Sequence, residues 1–286
     1  MAHQSFRLLQ PPVRTTSVIF ASPHSGNAYP WSFLRRTVLD DHAIRSSEDA
    51  YVDQLFEAAP GLGATLLVAD VPRAFVDLNR STEELDPALI EGIKSTSHNP
   101  RVSSGLGVIP RVVANGRAIY RGKLDRSEAR ARLDDHWYPY HAALQNQLDA
   151  AKAEFGQAIL IDCHSMPHEA IDAISGDGKN WPQVVLGDRF GAACAPAIVN
   201  RIEAAFQRAG LRVARNAPFA GAYVTQAYGR PSRNQHAVQV EIDRSLYMNE
   251  ATIEPNEHYD RFKAQITQAM SEIVDIGRAS QPLAAE

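Results

Sequence analysis

The stretch Ala158-Ile-Leu-Ile-Asp162 runs directly into Cys163-His164-Ser165, and its reading decides the fold. A short apolar run without alternation describes a strand covered on both faces, as in a parallel sheet between helices. Similar runs lie at Ser17–Ala21 (SVIFA), Ala64–Ala69 (ATLLVA) and Ala237–Ile242 (AVQVEI), with weaker ones at Gln183–Leu186 and Leu211–Ala214. Between them, Glu48–Ala59, Arg126–Phe155, Gly191–Gly210 and Glu257–Arg278 carry apolar residues at helical spacing, and Pro139 is expected to kink or split the longest of these. Strands alternating with helices predict an α/β domain with a mostly parallel sheet covered on both faces. No repeat, low-complexity tract or linker interrupts the 286 residues, so one domain spanning 1–286 is expected, with residues 1–16 and 280–286 as tails.

In such sheets ligands bind beyond the carboxyl ends of the strands. After SVIFA comes Ser22-Pro23-His24-Ser25-Gly26, and after AILID comes His164. Two histidines at two strand ends are either hydrogen-bonded loop residues or ligands of one metal ion, and Glu48-Asp49 supplies a nearby acid as third ligand. His168 follows His164 by four residues, but Pro167 disfavours a helical ligand pair there. His3, His42, His98, His136, His141, His236 and His258 have no comparable context and read as surface or core residues.

Beyond ATLLVA lie Asp70-Val71-Pro72-Arg73 and Asp77-Leu78-Asn79-Arg80. Guanidinium forks match carboxylates, so Arg73, Asn79 and Arg80 are either a carboxylate receptor or a salt-bridge cluster. Alternation in Gln239-Val240-Glu241-Ile242-Asp243 puts Glu241 on the face shared with Gln239 and Asp243. An acid on an apolar strand is paired or functional, which leaves Glu241 as a proton acceptor or as half of an ion pair. Residues 82–115, with Pro, Gly and Ser and weak periodicity, suit a long loop near the crevice.

Bulk properties exclude several classes. A net charge of −4 gives no footprint for nucleic acid or an anionic membrane. No apolar run approaches the ~18 residues of a membrane span, and nothing resembles a secretory leader. Cys163 and Cys194 are the only cysteines, which favours a reduced, cytoplasmic setting. No GxGxxG after the first strand, GxxxxGK[ST] or GxSxG occurs. Nothing in the sequence sets an oligomeric state.

The chain resembles the N-formylglutamate amidohydrolase family nearly end to end. The resemblance rests on PHSG (Pro23–Gly26), EDxYVD (Glu48–Asp53), DVPRAFVDLNR (Asp70–Arg80), IYRGKL (Ile119–Leu124), HWYPYHAAL (His136–Leu144), DCHSMP (Asp162–Pro167), and GAYVTQAYG and QVEIDRSLYMNE within Phe219–Glu250. It implies a three-layer α/β/α fold with a mixed, mostly parallel sheet, phosphorylase/hydrolase-like in the manner of zinc carboxypeptidases. It also implies hydrolysis of a small N-acyl acidic amino acid, N-formyl-L-glutamate to formate and L-glutamate, in amino-acid (histidine) degradation.

By that resemblance His24, Asp49 and His164 hold one divalent metal ion, with Glu48 the alternative to Asp49 and zinc the default metal. Where zinc carboxypeptidases carry a ligating glutamate three residues after the first histidine, this chain has Asn27. Glu241 takes the role of general base, and Arg73 polarises the scissile carbonyl or binds a second carboxylate. Substrate contacts fall to Asn79, Arg80, Arg121, Arg244, Ser25 and Gly221. Three other readings stay open: a hydrolase of another N-acyl amino acid with the same site, a non-catalytic metal- or ligand-binding homologue, and a hydrolase using Ser25, Ser165 or Cys163 as nucleophile.

Overall fold

The structure is a computed structural model, and it describes residues 5–94, 99–113, 116–172 and 181–278. His3, His98 and the expected tail 280–286 lie outside them. The core is a seven-stranded sheet built from β1 (Phe6–Leu9), β2 (Val18–Ser22), β3 (Thr65–Ala69), β4 (Ala158–Met166), β5 (Val184–Gly187), β6 (Val213–Arg215) and β7 (Gln235–Asp243), in the order β1-β3-β2-β4-β7-β5-β6. The central strands β3, β2, β4 and β7 are mutually parallel. β1 runs antiparallel to β3, and β5 runs antiparallel to β7, so the sheet is mixed as expected.

Alternation along the buried strands divides the core between two layers. Val18, Phe20, Ile159, Ile161, Val238 and Val240 pack beneath helices Pro196–Arg208 and Tyr259–Val274 through Val199, Phe206, Phe262, Ile266 and Met270. Ile19, Ala21, Leu67 and Leu160 face the other way, onto Tyr140, Leu144 and Leu148 of helix Tyr138–Phe155. Each fully buried Leu, Ile or Phe contributes about 1.5–3 kcal/mol. Among the described residues no helix is long and apolar enough to cross a membrane.

Three expectations change. Residues 6–9 are not a tail but the edge strand β1; its partly exposed FRLL segment carries too weak an apolar pattern to stand out. Glu48–Ala59 is not one helix. Tyr51 adopts φ 67°, a left-handed conformation that confines the helix to Val52–Leu55, so Glu48 and Asp49 lie in the preceding turn. The third concerns strand ends: β4 and β7 run on to Met166 and Asp243, past the end of β2, so His164 lies within a strand rather than after it.

The segment Arg126–Phe155 is split just ahead of Pro139, as expected of it. Pro139 sits in the first turn of Tyr138–Phe155, where its missing N–H matters least, behind a π-helical turn at Leu133–Trp137 that joins Arg126–Arg132 to it.

Candidate metal centre and cleft

Because β2 is followed by β3 on one side and neighboured by β4 on the other, chain direction diverges at β2, which opens a crevice at its carboxyl end. His24 leaves β2 into this crevice and His164 projects from β4. Their rings meet at a centroid separation of 4.7 Å. Asp49 arrives from the turn after Ser47, tied by its N–H to the His24 carbonyl at 3.0 Å. Ligand atoms of His24, Asp49 and His164 all lie within 4.8 Å of one another, and all three residues are buried.

His164 Nδ1 is 2.9 Å and His24 Nδ1 is 3.5 Å from the same oxygen, Asp49 Oδ2. The far ring nitrogens are held by other acids: His24 Nε2 by Asp77 Oδ1 at 2.7 Å, and His164 Nε2 by Asp162 Oδ2 at 3.1 Å. A carboxylate behind each imidazole fixes ring orientation and raises its basicity, the usual support of a histidine metal ligand.

Two observations show that these residues fit a cation. His24 Nδ1 is fully buried without a hydrogen-bond partner, although it faces a carboxylate oxygen. Burial alone would lower the His164 pKa, yet Asp162 and Asp49 hold it well above the usual imidazole value. Surroundings that favour a proton there favour any cation. Burial likewise opposes ionisation of Asp49, but the His164 and His24 imidazoles beside it keep it well below the usual carboxylate range. Glu48 points elsewhere, bonded to Tyr29 Oη at 2.6 Å and Arg45 Nη2 at 3.1 Å.

Glu241 lies opposite His164 in the β4–β7 register. One of its oxygens accepts from Gln239 Nε2 at 2.8 Å, and Gln239 is fixed in turn by the Ala222 N–H at 2.9 Å. Burial, with Asp49 and Asp162 adding to it against His164 and Arg73, pushes Glu241 up to about 7. A carboxyl poised near neutrality suits proton transfer.

The metal candidates and Glu241 open into a cleft of about 520 Å³, within the small-molecule range. Arg73 lines it, with Nη2 on Asp77 Oδ2 at 3.0 Å and Nη1 3.8 Å from Asp49 Oδ1. Arg244 also lines it but spends donors on Asp49 Oδ1 at 2.9 Å and Ser165 Oγ at 3.1 Å. Asn79 is committed internally: its amide faces His164 Nε2 at 3.1 Å and its oxygen takes the Val224 N–H at 2.8 Å. Arg80 lines the cleft with its Nε on the Leu106 carbonyl at 3.1 Å.

Gly221 forms part of the cleft wall at φ 110°, where a side chain is strained and a Cβ would meet Thr225 Oγ1 at 2.5 Å. Ser25 does not reach the cleft lining, and its hydroxyl accepts from Ser22 at 2.8 Å. Arg121 does not reach it either: it is exposed in the turn that follows Tyr120, whose backbone bridges to Thr37. Cys163 faces the opposite core layer, where burial pushes its thiol well up, away from a nucleophile's range.

Sequence reasoning missed Asp77, Asp162 and Gln239, which hold the site residues, and Arg101, which lines the cleft. Asp77 and Asp162 had a signal, since each sits within two residues of a singled-out residue. Asp77, however, pairs with His24 in a segment distant in sequence, whereas Asp162 lies two residues before His164 on the same strand.

Comparison with known proteins agrees with this architecture. The sequence profile described as N-formylglutamate amidohydrolase matches residues 16–248. An N-formylglutamate deformylase of Pseudomonas aeruginosa is 32% identical over 236 residues, 82% of each chain. One of Pseudomonas putida is 30% identical over the same length and shares. The crystal structure of an N-formylglutamate amidohydrolase from Ralstonia eutropha JMP134 superposes with a TM-score of 0.89 at 34% identity, covering 97% of this chain and 99% of that one. On these grounds the chain belongs to the N-formylglutamate amidohydrolase family and is an amidohydrolase.

Proposed function

We propose that the protein hydrolyses the amide of N-formyl-L-glutamate to formate and L-glutamate, using one divalent metal ion, zinc by donor type, held by His24, Asp49 and His164. The observation that carries this reading is the convergence of those three residues with Glu241 beside His164 on the adjacent strand, at the floor of one cleft. When bound, the ion supplies Lewis acidity, which acidifies water and polarises a carbonyl.

The chain's own residues do the rest. Glu241 takes a proton from water as the water oxygen adds to the formyl carbon. It then returns that proton to the departing nitrogen as the C–N bond breaks, leaving formate and the free amine. Gln239 holds one Glu241 oxygen still, so the other is aimed without a search over rotamers. Arg73, anchored on Asp77, sets a guanidinium where negative charge develops on the carbonyl oxygen, and a donor of that kind is worth about 3 kcal/mol of transition-state stabilisation. Arg80 receives a substrate carboxylate. Arg244 positions Asp49 rather than substrate. The free, buried thiols Cys163 and Cys194 accord with a reducing, cytoplasmic setting.

The test is formate release from a panel of N-formyl and N-acetyl amino acids by metal-reconstituted protein, with and without a chelator. We expect N-formyl-L-glutamate to lead the panel and chelation to abolish turnover. Chelator-insensitive turnover would remove the metal, and a preference for an uncharged N-acyl amino acid would remove the substrate.

A further inference from the structure

At the metal end of the cleft Asp49 and Asp77 are paired with histidines and arginines, but the arginines of its outer wall have no such partners. Arg80 is nearly buried, its Nε and Nη1 take the carbonyls of Leu106 and Asn79, and among the described residues no carboxylate lies within ion-pair distance of it. Arg101, on the short turn Pro100–Ser103, lines the same cleft from a more exposed position and likewise has no acid partner among the described residues. Burial, with Arg73 and Arg101 adding to it, lowers the Arg80 pKa against the pull of Asp77 and Glu84. Two guanidinium groups lining one cleft without an ion-pair partner are costly to keep, and an anionic ligand relieves that cost.

The turn that carries Arg101 is built to hold its place. Asn99 Oδ1 caps it by accepting from the Arg101 and Val102 N–H groups at 2.9 and 3.4 Å. The Leu106 N–H returns to the Arg101 carbonyl at 2.8 Å, while the Leu106 carbonyl is the acceptor for Arg80 Nε. Arg80 and the Arg101 turn are thus buckled together through one residue. At Gly107 a Cβ would meet the Glu84 carbonyl at 2.4 Å, so the backbone lies tight against the neighbouring segment.

We infer that Arg101 is a specificity-determining residue, forming with Arg80 a two-guanidinium receptor for the side-chain carboxylate of an N-acyl dicarboxylic amino acid. The inference rests on the reading of the cleft given above. The side-chain carboxylate is the one farther from the scissile amide, and it reaches the more exposed guanidinium. The α-carboxylate, adjacent to the amide, stays at the inner end.

The experiment compares Arg101→Ala with the parent protein on N-formyl-L-glutamate and on its uncharged isostere N-formyl-L-glutamine, alongside glutarate and butyrate binding by calorimetry. For Arg101→Ala we expect kcat/KM for N-formyl-L-glutamate to fall about 10- to 100-fold, carried by KM, as for loss of one charge-assisted contact. The glutamine analogue should change by less than about 3-fold, and Arg101→Lys should recover part of the loss. Glutarate binding should weaken in parallel while butyrate binding is unchanged. Equal losses on the two formyl substrates, or glutarate bound as tightly as by the parent, would overturn the role of Arg101. Failure of the parent to release formate from either substrate would instead overturn the reaction assigned above, and glutarate binding would still decide Arg101.

Discussion

The two ends of the cleft solve opposite problems with the same residue types. At the inner end the acids around the histidines are paired: Asp49 meets His24, His164 and Arg244, and Asp77 meets His24 and Arg73. At the outer end Arg80 bonds two backbone carbonyls, and neither it nor Arg101 forms an ion pair among the described residues. The inner end is therefore pre-organised by the protein, as electrostatic catalysis requires, and its cost is met within the fold. The outer end is completed by what binds. Changes at the inner end should act on the rate, and changes at the outer end on affinity.

The largest effect expected from that contrast is at Glu241. Glu241→Gln keeps shape and one acceptor but cannot take a proton, so kcat should fall by about 10²- to 10⁴-fold. Metal content by elemental analysis should stay at the parent level. A variant turning over near the parental rate would dissolve the distinction at its centre. Next, Asp77→Asn removes the negative charge behind His24 and should weaken metal affinity about 10- to 100-fold, measured by competition with a chromogenic chelator. An unchanged affinity would reduce Asp77 to an anchor for Arg73.

Arg80→Ala should raise KM for N-formyl-L-glutamate by about 10- to 100-fold, with kcat within a few-fold and uncharged formamides little affected. A matching loss on uncharged substrates would move Arg80 to the inner group. The gentlest test is pH. Glu241 works as a base only when ionised, so activity is lost as pH falls through its pKa, by about tenfold per unit below it. The protein alone holds that value at about 7, and a bound dication pulls it lower. The acid limb of the loaded enzyme should therefore lie below 7 and vanish in Glu241→Gln. A limb persisting in that variant would belong to another group.

Much of this was legible in the sequence, for a physical reason. β2, β3, β4 and β7 are buried on both faces, so their apolar runs announce them, and the residues at their ends could be listed before any contact was known. β1 escaped because an edge strand needs no such run. The segment from Glu48 read as helix because composition cannot register a single left-handed residue. Tyr51 ends the helical pattern where Asp49 must turn toward His24 and His164. Asp77, behind His24, and the Arg101 turn were hidden because their placement exists only once segments far apart in sequence are brought together, whereas Asp162 shares a strand face with His164 and was open to the same alternation that singled out Glu241.

The π-helical turn at Leu133–Trp137 has a consequence of its own. Such a turn is, in effect, one residue more than a regular helix would hold, and it shifts the angular phase of everything upstream by roughly 100°. Trp137 closes that turn, and its indole N–H reaches the Arg80 carbonyl at 2.9 Å. Deleting a residue here would restore an ordinary α-helical frame, and in doing so would rotate Arg132, whose guanidinium donates to the Phe75 carbonyl at 3.0 Å, out of phase with the indole that holds the backbone of Arg80. In this stretch a shortened chain would be more regular and, for its carboxylate receptor, worse placed.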